Sequence, residues 1–133
     1  MPHISSKRLK DAEEKILKSR LMEILQIIGR NRRTKYALYD LLSDTEMIML
    51  AKRLSIIYLI NKEISTLDIS EALNVSSSTV QKMEKKFDRG GYENLRRLLP
   101  KLELSLVEAV EVILRAGMPP IAGKGRWDFL DEY

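Results

Sequence analysis

The segment STLDISEALNVSSSTVQKMEKK, Ser65 to Lys86, decides how the rest of the chain is read. Two short helices are predicted here, with a turn at Asn74 between them. Ser65-Thr66-Leu67-Asp68 has the form of a capping box, in which a serine hydroxyl accepts from an amide that the first helical turn leaves without a partner. Asn74 follows the last apolar residue, Leu73, and tolerates left-handed backbone. Ser76 or Ser77 can then cap a second helix running to about Arg89. Ile69, Leu73, Val75, Val80 and Met83 fall at the offsets that face inward when two helices cross at a tight turn, and small Ser70 falls where the helices touch. This is the pattern of a helix-turn-helix.

The outward side of the second helix carries the candidate contacts to double-stranded DNA: Ser76, Ser77, Ser78, Thr79, Gln81, Lys82, Lys85, Lys86 and Arg89. Short hydroxyls near a helix start suit base edges or phosphates, a glutamine can pair with adenine, and lysines suit phosphates. The competing reading is a plain two-helix corner with a solvated polar face. The joint match of inward, small and turn positions favours DNA, as does the excess of Lys82, Lys85, Lys86 and Arg89 over Glu84 and Asp88.

On the N-terminal side, Ser43-Asp44-Thr45-Glu46 is another capping box, and it opens a third helix from about Asp44 to Asn61 with Met47, Leu50, Leu54, Ile57 and Leu59 as its apolar positions. From Ser6 to Ile28 the residues Leu9, Ala12, Ile16, Leu17, Leu21, Ile24, Leu25 and Ile28 recur at steps of three and four, which predicts a long first helix ended by Gly29. Its stripe suits packing against a second copy of the chain. Arg30, Arg32, Arg33 and Lys35 form a basic connector into a short helix, Tyr36 to Leu42. The connector reads first as a solvated linker and second as an arm that contacts a nucleic-acid backbone. Beyond the central segment, Gly90-Gly91 stops a helix, Tyr92 to Leu99 forms another ended by Pro100, and Ser105 caps a last one running to Gly117. The tail from Met118 to Tyr133 contains Gly and Pro, and Trp127 with Phe129 and Leu130 is read as an anchor that docks it, or else as a partner-recognition motif. The expected class is all-α, with a helical DNA-binding and dimerisation domain over 1–100 and a C-terminal extension over 101–133.

Composition narrows the chemistry. The chain has 133 residues, no cysteine and one histidine, His3. Disulfides, thiolate metal sites and cysteine nucleophiles are excluded, and neither a metal site nor histidine-based catalysis is expected. No phosphate-cradling glycine loop occurs, because Gly123-Lys124-Gly125 lacks the spacing and the preceding strand. The protein is therefore not expected to be an enzyme. Its net charge of +4 permits a polyanionic partner. No apolar run reaches the ~20 residues of a membrane span, and no secretory signal is visible, so the cytoplasm is the expected compartment and no membrane contact is expected.

Leu42-Ser-Asp-Thr-Glu46, Ala51-Lys-Arg53-Leu54, the helix-turn-helix of Ser65 to Lys86 and Gly90-Gly91-Tyr92 together resemble the Trp-repressor-like transcriptional regulators, in particular the YerC/YecD type. The resemblance covers roughly Leu42 to Leu99, and the long first and short second helices before it agree. It implies an intertwined helical homodimer whose two recognition helices enter successive major grooves. In tryptophan-responsive members two arginines sandwich the indole. Arg53 falls at the first of these positions and Lys82 at the second, with Thr79 beside it and Ser43 as a hydroxyl reached from the partner chain. A lysine does not reproduce a flat guanidinium that stacks on indole and grips a carboxylate, so this possible effector pocket disfavours tryptophan, and no cofactor is expected. The stretch between Arg53 and Ser65 is also one residue shorter than in those members.

Three functions stand side by side at this level. The first is a dimeric, sequence-specific regulator, a repressor that occupies a promoter. The second is a sigma-factor-like promoter-reading component of a larger complex. The third is a helical protein-interaction module without DNA binding.

Overall fold

The computed structural model describes residues 9–101 and residue 108. Every regular element among them is helical, so the class is all-α. The chain divides into two compact units, one up to Met49 and one from Leu50.

In the first unit, α1 spans Asp11–Arg30. Asp11, Glu13 and Glu14 stand in its first turn, where carboxylates complement the helix dipole, and the Glu13 carboxylate accepts from the Lys10 amide at 3.2 Å. Gly29 does not end the helix as its sequence context predicts. An internal glycine costs only about 1 kcal/mol relative to alanine, and the helix runs one residue past it. Asn31 sets the stop instead. Its backbone is extended (φ −135°), and its side chain accepts from the Arg33 amide at 2.9 Å, capping a short 3₁₀ turn, Arg32–Thr34. Thr34 Oγ1 lies 2.8 Å from the Ile28 carbonyl and 2.7 Å from that of Asn31, tying the turn back onto the end of α1. The basic connector is thus a capped turn and not a loose linker. The short helix α2 comes next, over Tyr36–Leu41.

The stripe of α1 is largely open to solvent. Ile28 is buried, whereas Ile16, Leu17, Leu21, Met22, Ile24 and Ile27 are between 43% and 59% exposed.

Helix α3, Asp44–Asn61, begins as its capping box predicts. The Glu46 amide donates to Ser43 Oγ at 3.2 Å, and the Ser43 amide donates to the Glu46 carboxylate at 3.1 Å. The bond from the Ser43 amide, with the Ser43 hydroxyl second, holds the Glu46 carboxyl below its ordinary range. The C-terminal end of α3 is buried all round, at Ser55, Ile56, Ile57, Tyr58 and Leu59. A one-sided stripe therefore describes it poorly, and Leu50, expected to face inward, is 47% exposed. The buried Ser55 hydroxyl is satisfied by the Ala51 carbonyl at 2.8 Å.

Around this end of α3 the second unit gathers one apolar cluster from α4 (Thr66–Leu73), α5 (Ser77–Asp88) and a helix that covers 93–101, here α6. Ile69, Leu73, Val80, Phe87 and Leu99 join Ile56, Ile57, Tyr58 and Leu59, with Val75, Met83, Tyr92 and Leu95 packed at the edge. Fully burying an aliphatic side chain of this size contributes about 1.5–3 kcal/mol, so the cluster fixes how α4 and α5 are held. Pro100 does not end α6, since residues 100 and 101 are still helical. Proline fits a helix in φ and removes only the amide that would bond the Arg96 carbonyl. Arg96 and Pro100 are both exposed, which leaves that carbonyl to water.

The expected helix from Ser105, the tail and the Trp127 anchor fall, apart from residue 108, outside the described residues, as does His3.

Candidate nucleic-acid interface

The geometry of α4 and α5 is built by their caps. Ser65 Oγ accepts from the Asp68 amide at 3.2 Å and starts α4. Asn74 ends it in the left-handed region, φ 51° and ψ 54°, with its amide bonded to the Ser70 carbonyl. Ser70 is only partly buried, and its hydroxyl bridges the turn by donating to the Val75 carbonyl at 2.6 Å. Of the two serines that could cap α5, Ser76 does so, accepting from the Thr79 amide at 3.2 Å. Ile69 and Val80 are fully enclosed and Leu73 nearly so, while Val75 and Met83 are partly buried. The inward set is in place at every position.

What remains outside on α5 and at its ends is Ser76, Ser77, Ser78, Thr79, Gln81, Lys82, Lys85, Lys86 and Arg89, all exposed. Their roles are not uniform. Ser76 Oγ also lies 3.1 Å from Ser78 Oγ and 2.8 Å from Thr79 Oγ1, so three hydroxyls form one cluster at the helix start. Thr79, expected at a partly covered edge, is open. Gln81 makes no side-chain bond among the described residues and projects freely. Lys82, Lys85 and Arg89 enter no ion pair among the described residues.

Lys86 is held differently. Its ammonium stands 4.6 Å from the centre of the Tyr92 ring, and its carbonyl accepts from the Gly91 amide at 2.8 Å. Gly90 stops α5 with φ 82°. A Cβ on Gly91 would meet the Lys86 carbonyl oxygen at 2.6 Å, so only glycine lets the chain turn this tightly under the lysine.

Three supporting contacts lie beyond the reach of the sequence patterns. Thr66 Oγ1 lies 2.7 and 2.8 Å from the two carboxylate oxygens of Glu84. Lys52 Nζ on α3 reaches the Asn74 carbonyl at 3.4 Å. The Arg96 guanidinium stands 4.2 Å from the centre of the Phe87 ring. The first two contacts join residues 18 and 22 positions apart, and no local pattern encodes them.

The family resemblance assigns an effector pocket to Arg53, Thr79, Lys82 and Ser43. Arg53 on α3 and Thr79 and Lys82 on α5 are all exposed, and the Thr79 hydroxyl is engaged by Ser76. Ser43 lies in the first unit, where its hydroxyl caps α3.

A capped, tightly turned helix pair that presents hydroxyls, a free glutamine and a row of cations is a helix-turn-helix of the DNA-reading kind. Residues 40–96 match the family model described as iron dependent repressor, N-terminal DNA binding domain. The match runs from before α3 into α6 and supports a DNA-binding, repressor-type regulator; it does not single out the Trp-repressor-like branch. No curated protein and no solved structure matches the chain. The iron in that description finds no site here: among the described residues no three His, Cys, Asp or Glu side chains gather as a metal would require. No described helix is long and apolar enough to cross a membrane.

Proposed function

We propose that the protein is a sequence-specific transcriptional regulator that binds duplex DNA as a homodimer and represses by occupying a promoter. One observation carries the reading. The exposed side of α5 offers Gln81 beside unpaired Lys82, Lys85 and Arg89, while Glu84, a carboxylate on the same helix, is drawn back onto Thr66. A carboxylate left pointing at a phosphate backbone would oppose binding, and its removal leaves a surface of one sign.

The long α1, short α2 and following helix-turn-helix support the Trp-repressor-like assignment and its intertwined dimer. So does the open stripe of α1, since six large apolar side chains on one helix exceed what a lone protomer leaves in water. The function is binding without chemistry, in the cytoplasm, with residues 1–100 as the working domain. Arg53, Thr79, Lys82 and Ser43 do not make a tryptophan site, because Lys82 lacks the planar fork that would grip the ligand.

Selection of bound duplexes from a random pool tests this. The expected product is a palindrome with half-sites about one helical turn apart. A single site without two-fold symmetry would favour a promoter-reading component of a larger complex, and no enrichment at low salt would refute DNA binding.

A further inference from the structure

We infer that the turn between α1 and α2 is a second contact to duplex DNA, separate from α5, in which Arg30, Arg32, Arg33 and Lys35 hold phosphates and the exposed rings of Tyr36 and Tyr39 add hydroxyl donors. The inference rests on the DNA-binding reading and extends it to the first unit.

Between Glu23 and Asp40 the chain has no carboxylate, and the four cations fall within six consecutive residues. All four are exposed, and Arg30, Arg32 and Arg33 enter no ion pair among the described residues. A run of like charge on a loose chain usually repels itself into solvent and means little. This one is held in place. Asn31 caps the turn from below, Thr34 ties it to the carbonyls of Ile28 and Asn31, and Lys35 is set 5.0 Å from the centre of the Tyr36 ring. The cations are fixed on a turn whose own charges cannot neutralise them, which is what a polyanion contact needs.

The tyrosines supply the second, independent mark. Tyr36 and Tyr39 are 65% and 62% exposed, with ring centres 6.1 Å apart and planes inclined by 33°. Two large aromatic rings left in water beside four cations are costly unless a partner covers them. Phenol hydroxyls donate to phosphate oxygens, the apolar ring bodies rest on sugar edges, and the guanidinium groups bind phosphate bidentately. An acidic protein would also satisfy the charge. Nucleic acid is favoured because it satisfies the rings and the cations together, and because the same chain carries a helix-turn-helix.

The test uses the full chain and a duplex selected from a random pool, with affinity measured against salt. One variant combines Arg30→Gln, Arg32→Gln, Arg33→Gln and Lys35→Gln, a second Tyr36→Phe with Tyr39→Phe, and a third Lys82→Gln with Lys85→Gln. The glutamines keep most of each exposed stem, and circular dichroism melting verifies that each variant is folded. The connector variant is expected to flatten the slope of log affinity against log salt by about two units or more, at about 0.9 per phosphate released. The phenylalanine pair is expected to weaken binding several-fold at every salt concentration, through loss of the hydroxyl donors. An unchanged slope and affinity in both, while the α5 variant loses binding, overturns this inference and leaves the α5 reading standing. Loss in the connector variant with no loss in the α5 variant keeps this contact and overturns the α5 reading. Binding to single-stranded DNA of the same sequence as tight as to the duplex would overturn the duplex assignment.

Discussion

The hydroxyl of Thr66, at the first residue of α4, sits between the two carboxylate oxygens of Glu84, in the third turn of α5, at 2.7 and 2.8 Å. One proton is shared by two acceptors, and the bond is charge-assisted. It joins the two halves of the helix-turn-helix across 18 residues of sequence. It also takes up the carboxylate that would otherwise stand nearest the lysines.

Thr66→Val keeps the shape and removes the donor. The expected loss of stability is about 1–2 kcal/mol, toward the lower figure because the pair is only partly buried, and it is read by urea denaturation. DNA affinity should fall further than stability alone explains, since Glu84 is then free to oppose phosphates. Glu84→Gln retains an acceptor for the hydroxyl and should bind DNA at least as tightly as the parent.

Gln81 and Lys86 should separate base reading from phosphate holding. Gln81→Ala is expected to relax base choice by about 1–3 kcal/mol at one position of a selected site, with little change in salt dependence. Lys86→Ala should weaken all sequences alike and lower the salt slope by about one unit. Binding assays against single-base variants of the site check both.

The open stripe of α1 predicts a homodimer at micromolar concentration, seen by sedimentation. Leu21 and Ile24 are 43% and 49% exposed, so Leu21→Asp with Ile24→Asp adds no charge to a buried core of the lone chain. Dissociation with retained helical signal is the expected result. A parent protein that sediments as a monomer would remove the stripe as evidence for assembly.

Tryptophan should not be required for DNA binding. Titration at ordinary metabolite concentrations is expected to leave affinity for a selected site unchanged, and Lys82→Arg should preserve DNA binding without creating a response. A large gain with the parent protein would overturn this.

Much of the helix-turn-helix is legible in the sequence because its signals are local. Ser43, Ser65 and Ser76 each lie three residues before the amide they cap, and Asn74 carries its own conformational preference. The inward set is dictated by helical spacing and a turn of fixed length. The boundaries that differ have a common cause: Gly29 and Pro100 have the character of stops, yet each costs a helix a few kcal/mol at most, which neighbouring bonds and packing outweigh. All-round burial at Ser55, Ile56 and Tyr58 escapes periodicity, because a helix surrounded by others has no outer face to reveal. The tie from Thr66 to Glu84 and the fixed turn from Asn31 to Thr34 depend on side chains meeting in space, which no window of sequence records.

The passage of α6 through Pro100 bears on how the protein can be cut into parts. Leu99 is 2% exposed and belongs to the core around α3, so a shortened chain ending at residue 99 or 100 would sever a helix at the turn that anchors it. Proline there looks like punctuation and invites that cut. A fragment meant to retain the DNA-reading unit should carry α6 past residue 101, or its frayed end will be mistaken for an unstable domain.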